Sequence, residues 1–324
     1  MDDLRLDLIP LVKRLALSRN EKHPWAQMSD MDFFRSAGLY EENKMTGEKG
    51  FNLAGILLFG RDDVICSCTV GAITDCLLRK ENLDRYDDRL IVETNLIEAF
   101  DRIYEFIEKH TLDRFFIIGN QNVSVRSHIA REIVSNILAH REYTSSYRAR
   151  LIIEQNRIIT DNWSRPQFEG RIDPDDFTPH SKNPILAKFF VNIGRADELG
   201  SGVRNLYKYT DIYTGGAEPE LIEGNVFKMI VPLVNLSNKE VMIGFDTDTV
   251  VDGKFGEKFG EKQTKEKIIK IMQEEPTASA KTIGKMIEIT TRAVEKNIRE
   301  LKAVGLIERV GAAKGGYWVV KQKK

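Results

Sequence analysis

Apolar positions recur at helical spacing in three places within the first 110 residues. Leu8, Leu11, Val12 and Leu15 share one face of a helix expected over residues 5 to 18. Ser29-Asp30-Met31-Asp32 offers an N-cap for a second helix holding Phe33 and Phe34. Val92 to His110 reads as a long amphipathic helix with Leu96, Phe100, Ile103 and Phe106 on its face. Between them, Gly50 to Gly60 reads as a helix followed by a buried strand. The period then changes. Leu151-Ile152-Ile153-Glu154 and Arg157-Ile158-Ile159, turned by Gln155-Asn156, predict a hairpin that ends in Thr160-Asp161-Asn162-Trp163-Ser164-Arg165-Pro166.

The stretch Arg131 to Arg141 predicts a helix on which Glu132, Asn136 and His140 fall at i, i+4 and i+8, so an acid, an amide and an imidazole form one row. At 100° per residue the row shares its azimuth with Ile129 and borders Ile133 and Ile137. It therefore lies beside the buried stripe, with Arg131, Ser135 and Glu142 toward solvent. Polar groups placed there need partners. A carboxylate with an amide oxygen can hold a hard cation and orient a water, as nucleotide-Mg²⁺ sites require; a polar row that caps a neighbouring loop is the structural alternative. Downstream, Asp197-Glu198-Leu199-Gly200-Ser201-Gly202-Val203 puts two glycines at a helix start, where backbone N–H groups can approach phosphate oxygens.

From Thr264 on, the pattern is that of a winged helix-turn-helix. A first helix to about Glu274 carries Ile268, Ile271 and Met272, and a second from about Ser279 carries Ile283, Met286 and Ile287. A third, from Thr291 to Val304, groups Val294, Ile298 and Leu301 on one face, with Arg292, Lys296 and Arg299 opposite. Leu306 to Val310 and Tyr317 to Val320 read as two strands joined by a basic, glycine-rich tip holding Lys314. Such a unit suits double-stranded DNA. The third helix, with Thr291 at its start, enters the major groove, while Arg309 and Lys314 meet the backbone. A winged helix used only for protein contacts is the alternative.

Charge sharpens this division. Residues 264–324 hold 14 Lys and Arg against 7 Asp and Glu, a net of +7, so the rest of a chain of formal charge −1 carries −8. Ser237 to Lys262, with its tandem Phe-Gly-Glu-Lys, reads as a tether. No apolar run approaches the roughly 20 residues of a membrane helix, and Met1-Asp2-Asp3-Leu4 begins no secretory signal; cytoplasm is the expected location. Cys66, Cys68 and Cys76 lack a fourth ligand at zinc spacing, so they are expected as small buried thiols.

The wording Arg-Glu-Ile-Val-x-Asn-x-x-x-His-Arg-Glu-Tyr at residues 131 to 143, with Lys182-Asn183-Pro184 and Glu198-Leu199-Gly200-Ser201-Gly202-Val203, resembles a family of bacterial transcriptional regulators. These carry a divergent GHKL-type (gyrase, Hsp90, histidine kinase) ATP-binding domain followed by a winged helix. The resemblance covers roughly residues 85 to 235. It implies an α+β multidomain fold: a mixed region over 1–115, a remnant or connector of an Alba/Schlafen-like architecture; a GHKL-like α/β sandwich over 116–235; a linker over 236–263; and a winged helix over 264–324. It further implies ATP or ADP with Mg²⁺ as ligand, Glu132 as general base and Asn136 as Mg²⁺ ligand. Asp161 would contact adenine beside Asn162, and His140, Lys182, Gly200, Ser201 and Gly202 would border the nucleotide. The family's Asn-Gly-x-Gly is replaced here by Asn162-Trp163-Ser164-Arg165, which lack glycine's positive-φ freedom. Three functions follow: a nucleotide-responsive DNA-binding regulator, expected as a homodimer; a weak ATPase or kinase using Glu132 or His140; and a degenerate sandwich kept as a dimerisation or interaction module.

Overall fold

The computed structural model describes residues 2–113, 115–118, 121–166, 168–174, 176, 181–197 and 201–234. In a second compact unit it describes 268–320 apart from 270, 274, 287–290, 304–305 and 311–316. The architecture is mixed α+β, and each unit has its own apolar core.

In the first unit, α1 (Ile9–Arg19) and α2 (Asp30–Ser36) precede a hairpin of β1 (Tyr40–Glu42) and β2 (Lys49–Phe51). The Ser29 hydroxyl caps α2 by accepting the Asp32 N–H at 3.3 Å, as its sequence position predicts. The Asn52 side chain then accepts the Gly55 N–H at 3.0 Å and starts α3 (Leu53–Phe59), followed by α4 (Asp62–Cys68). The apolar run expected as a buried strand is thus helical. A capped start decides what periodicity over so few residues cannot. Leu57, Leu58 and Phe59 enter the core, where Phe59 lies 5.9 Å and Trp25 5.6 Å, ring centre to ring centre, from Phe189.

Next come β3 (Thr74–Arg79), β4 (Asp88–Val92), α5 (Leu96–His110), a separate two-stranded sheet of β5 (Phe115–Ile118) and β6 (Gln121–Ser124), and α6 (Val125–Ala139). The hairpin β7 (Ala149–Glu154) and β8 (Arg157–Trp163) turns at Gln155-Asn156 as its pattern predicts. After β9 (Gly170–Arg171), α7 (Pro184–Asn192) and α8 (Ser201–Thr214), β10 (Glu220–Glu223) and β11 (Val226–Pro232) close the unit. Seven strands form one mixed sheet in the order β4-β3-β7-β8-β11-β10-β9, in which β3 and β7 are the parallel pair. The boundary expected at residue 115 falls inside this unit, because β3 and β4 precede it and the other five strands follow it.

Strand alternation gives the sheet two faces. Cys76, Leu78, Leu151, Ile153, Ile158, Phe227, Met229 and Val231 join the core with residues of α5, α6 and α7.

In the second unit, a helical segment with Ile268 and Met272, the helices Ala280–Met286 and Thr291–Ala303, and the hairpin β12 (Ile307–Val310) and β13 (Tyr317–Val320) surround a small core. Val294, Ile298 and Leu301 face inward as their spacing predicts, while Met286 is exposed. Trp318 lies in this core, donates through Nε1 to the Ala278 carbonyl at 3.3 Å, and has the Arg309 guanidinium 5.1 Å from its ring. The Phe-Gly-Glu-Lys repeat, Ile287, Gly200 and Lys314 lie outside the described residues.

Candidate functional site

α6 is the scaffold of the site. Its start is capped by Ser124, whose hydroxyl accepts the Ser127 N–H at 3.2 Å. Packing against α5, α7, α8 and β8 leaves it little free surface. Ser135, expected toward solvent, is accordingly buried and donates to the Arg195 carbonyl at 2.5 Å. The helix ends at Ala139. His140 has φ −115° and ψ 52°, outside the helical region, so the expected row of three shortens to Glu132 and Asn136.

Two residues without an assigned role in the sequence close that end. Asn183 Nδ2 donates to the Ala139 carbonyl at 3.1 Å and the Arg141 carbonyl at 2.7 Å, satisfying acceptors that a helix C-terminus leaves open. The Arg141 guanidinium is buried and donates to the carbonyls of Gly71 and Ile73, the latter at 3.0 Å. Lys182 is committed elsewhere: its Nζ lies 2.7 Å from the Arg165 carbonyl and 2.6 Å from Glu223 Oε1.

Glu132 meets the start of α8. A Cβ built on Gly202 would fall on the Glu132 carboxylate, so glycine is what lets α8 lie this close to α6. Removal from water pushes the Glu132 carboxyl up to about 7; nearby Asp197 adds to the rise and Arg131 opposes it. Asp197 is itself pinned between Arg131 Nη2 at 3.2 Å and Asn205 Nδ2 at 2.6 Å.

Asp161 and Asn136, both expected at one nucleotide, are not brought to the same side of β8. Asn162 Nδ2 donates to the α6 carbonyls of Asn136 and Ile137, both at 3.3 Å, which fixes Asn162 on the helix side of β8. Asp161, its neighbour, must point to the opposite face. There it accepts Arg150 Nη2 at 2.7 Å, with Lys228 Nζ at 3.9 Å. Of the neighbours Asp161 and Asn162, it is therefore Asn162 that β8 presents to α6.

Among the buried oxygens without a hydrogen-bond partner are Oδ1 of Asn136 and of Asn162, on the two elements of this contact, and Oγ of Ser164 and of Ser181, on the segments that follow β8 and precede α7. These residues are 8%, 0%, 2% and 8% exposed. Each buried polar atom left unsatisfied costs about 1–3 kcal/mol, so a group of them asks for a polar occupant. Among the described residues no three His, Cys, Asp or Glu side chains gather as a metal-binding group. Cys66 and Cys68, expected buried, are exposed on α4, whereas Cys76 is buried in β3. No described helix is long and apolar enough to cross a membrane.

Residues 1–72 match a family described as a domain of unknown function (DUF8451). A search of curated proteins returns no match. Among solved structures, the crystal structure of the DIP2311 protein from Corynebacterium diphtheriae superposes with a TM-score of 0.58 at 16% identity. The alignment covers 99% of this chain and 62% of that one. This chain therefore spans under two thirds of that protein's length, and what the two share is the fold.

Proposed function

We propose that the chain is a nucleotide-responsive DNA-binding regulator, whose first unit takes ATP with Mg²⁺ in a divergent GHKL-like sandwich and whose second unit is a winged helix. The observation that carries the reading is the pair of unpartnered buried oxygens, Oδ1 of Asn136 and Oδ1 of Asn162, on α6 and on the strand bonded to it. Because Asn162 Nδ2 is committed to α6, its Oδ1 is left as an acceptor suited to the exocyclic amine of adenine, the part that the family resemblance gives to Asp161. Asn136 Oδ1 would ligate Mg²⁺, which takes few protein oxygens and fills its shell from phosphate and water. Bound Mg²⁺ supplies neutralisation of phosphate charge. Gly202 and Ser201 open α8, whose N-terminal N–H groups suit an anion. His140 ends α6 near this region, and Lys182 acts through the Arg165 segment that it ties down.

In the second unit, exposed Arg299 lies opposite the Val294, Ile298 and Leu301 face, within a segment of net charge +7. The side chains of Arg292 and Lys296 lie outside the described residues, and their spacing alone puts them on that side; Thr291, Arg309 and Lys314 would extend the contact to duplex backbone. A weak ATPase is the second reading, favoured by a Glu132 carboxyl held at about 7, one turn from Asn136.

Calorimetric titration of the full chain with ATP, with and without Mg²⁺, tests the first unit. Binding should strengthen with Mg²⁺, and Asn136→Ala should remove that increment. No binding at millimolar nucleotide would leave the sandwich as a dimerisation or interaction module. Mobility of duplex DNA at low salt tests the second unit, where Arg299→Ala should weaken the complex.

A further inference from the structure

The sheet face turned away from the core carries a charged belt. Register aligns Asp75 with Arg150, Arg150 with Asp161, and Asp161 with Lys228. Arg89 on β4 reaches the same belt, with Nε and Nη2 at 2.9 and 2.7 Å from the Asp75 carboxylate. The charges thus alternate across five strands, but they differ in depth. The Asp75 and Asp161 side chains are 15% and 6% exposed, whereas those of Arg89, Arg150 and Lys228 are 35%, 47% and 45% exposed. The acids lie beneath and the cations stand outward, so the surface offered to a partner is positive within a unit of acidic balance.

Two apolar rows flank the belt. Leu77, Ile152, Ile159 and Ile230 pair across β3, β7, β8 and β11 on one side. On the other, partly exposed Trp163 sits 5.7 Å, ring centre to ring centre, from Tyr147. Arg150 and Lys228 stand two strands apart, about 10 Å.

We propose that this sheet face binds single-stranded nucleic acid, with the backbone phosphates along the Arg89, Arg150 and Lys228 belt and an unpaired base against Trp163. A second copy of the same face would oppose cation to cation. A duplex hides its base faces, so it could not use the aromatic row, and a broad sheet does not enter a groove. Single strands offer both the polyanion and the exposed π-faces that a cationic, aromatic platform takes. This site is separate from the nucleotide site, which lies on the helix side of β8.

The test uses the full chain with fluorescently labelled dT₁₅ and rU₁₅ for affinity at several salt concentrations, and unlabelled strands for tryptophan quenching. Trp25 and Trp318 are buried, so Trp163 is the tryptophan a ligand on this face would quench. Either strand should quench emission, and Trp163→Phe should remove the quench while keeping a ring for stacking. Trp163→Ala should weaken affinity about tenfold. Lys228→Gln should lower the magnitude of the salt slope by about 0.7 if Lys228 meets one phosphate. Comparison of the two strands separates DNA from RNA. Wild-type protein that neither binds nor quenches would overturn the proposal, as would binding lost in Arg299→Ala yet intact in the Trp163 and Lys228 variants. A dimer by light scattering that Lys228→Gln dissociates would hand the face to a second copy instead.

Discussion

Replacing Glu132 with Gln should stabilise the first unit more at alkaline than at acidic pH. The Glu132 carboxyl is raised from 4.5 to about 7 on folding, chiefly by removal from water. A carboxyl that holds its proton more tightly when folded opposes folding once it must ionise. The penalty is absent below the unfolded value, grows between the two values, and is complete above about 7. At 1.36 kcal/mol for each factor of ten, the gap corresponds to ~3 kcal/mol. Gln is isosteric, keeps the contact with Gly202, and has no proton to lose. Its stabilising effect should therefore increase by about 2 kcal/mol between about pH 5.5 and about pH 8.5, because roughly two fifths of the penalty is already present at the lower pH. Urea unfolding of wild type and variant at the two pH values, followed by far-UV circular dichroism, measures the difference. An identical wild-type-to-variant gap at both would refute the reasoning and mean that Glu132 is well solvated. A larger gap at the acidic pH would reverse its sign.

Gly202→Ala should push the Glu132 carboxylate aside and destabilise by about 1 kcal/mol. In a Glu132→Ala background the same change should be neutral or favourable, since alanine exceeds glycine in helices by up to ~1 kcal/mol. Additive effects in that cycle, read by urea unfolding, would separate the two residues. Asn183→Ala should cost ~1–3 kcal/mol by stranding the carbonyls of Ala139 and Arg141. Asn183→Asp should be worse despite its shape, because it loses the donors and sets a negative charge at the negative end of α6. Wild-type melting of the Asp variant would rule out the capping role.

Local periodicity made α5, the β7-β8 hairpin and the helix Thr291–Ala303 legible, since each buries one face that recurs at its own period. α6 showed where that logic stops. With neighbours on several sides, Ser135 has no solvent to face, and a rule built on one buried stripe misplaces it. In β8, Ile158 sits on the same face as Asn162, and Ile159 on the same face as Asp161, so both faces carry an isoleucine and an acid or amide. Only packing against α6 decides between them, and it turns Asn162, not Asp161, toward the helix. β3 is not legible locally because its parallel partner β7 lies 75 residues downstream, beyond the reach of any local pattern.

The aromatic cluster of Trp25, Phe33, Phe59 and Phe189 has a consequence for synthesis on the ribosome. The segment that matches a family ends at residue 72, yet part of its core is a side chain 117 positions later, on α7. At about 5–20 residues per second, that phenylalanine is added ~6–23 s after the segment itself is complete. Until then the Trp25 and Phe59 rings lack this cover, which leaves α7 to complete the cluster.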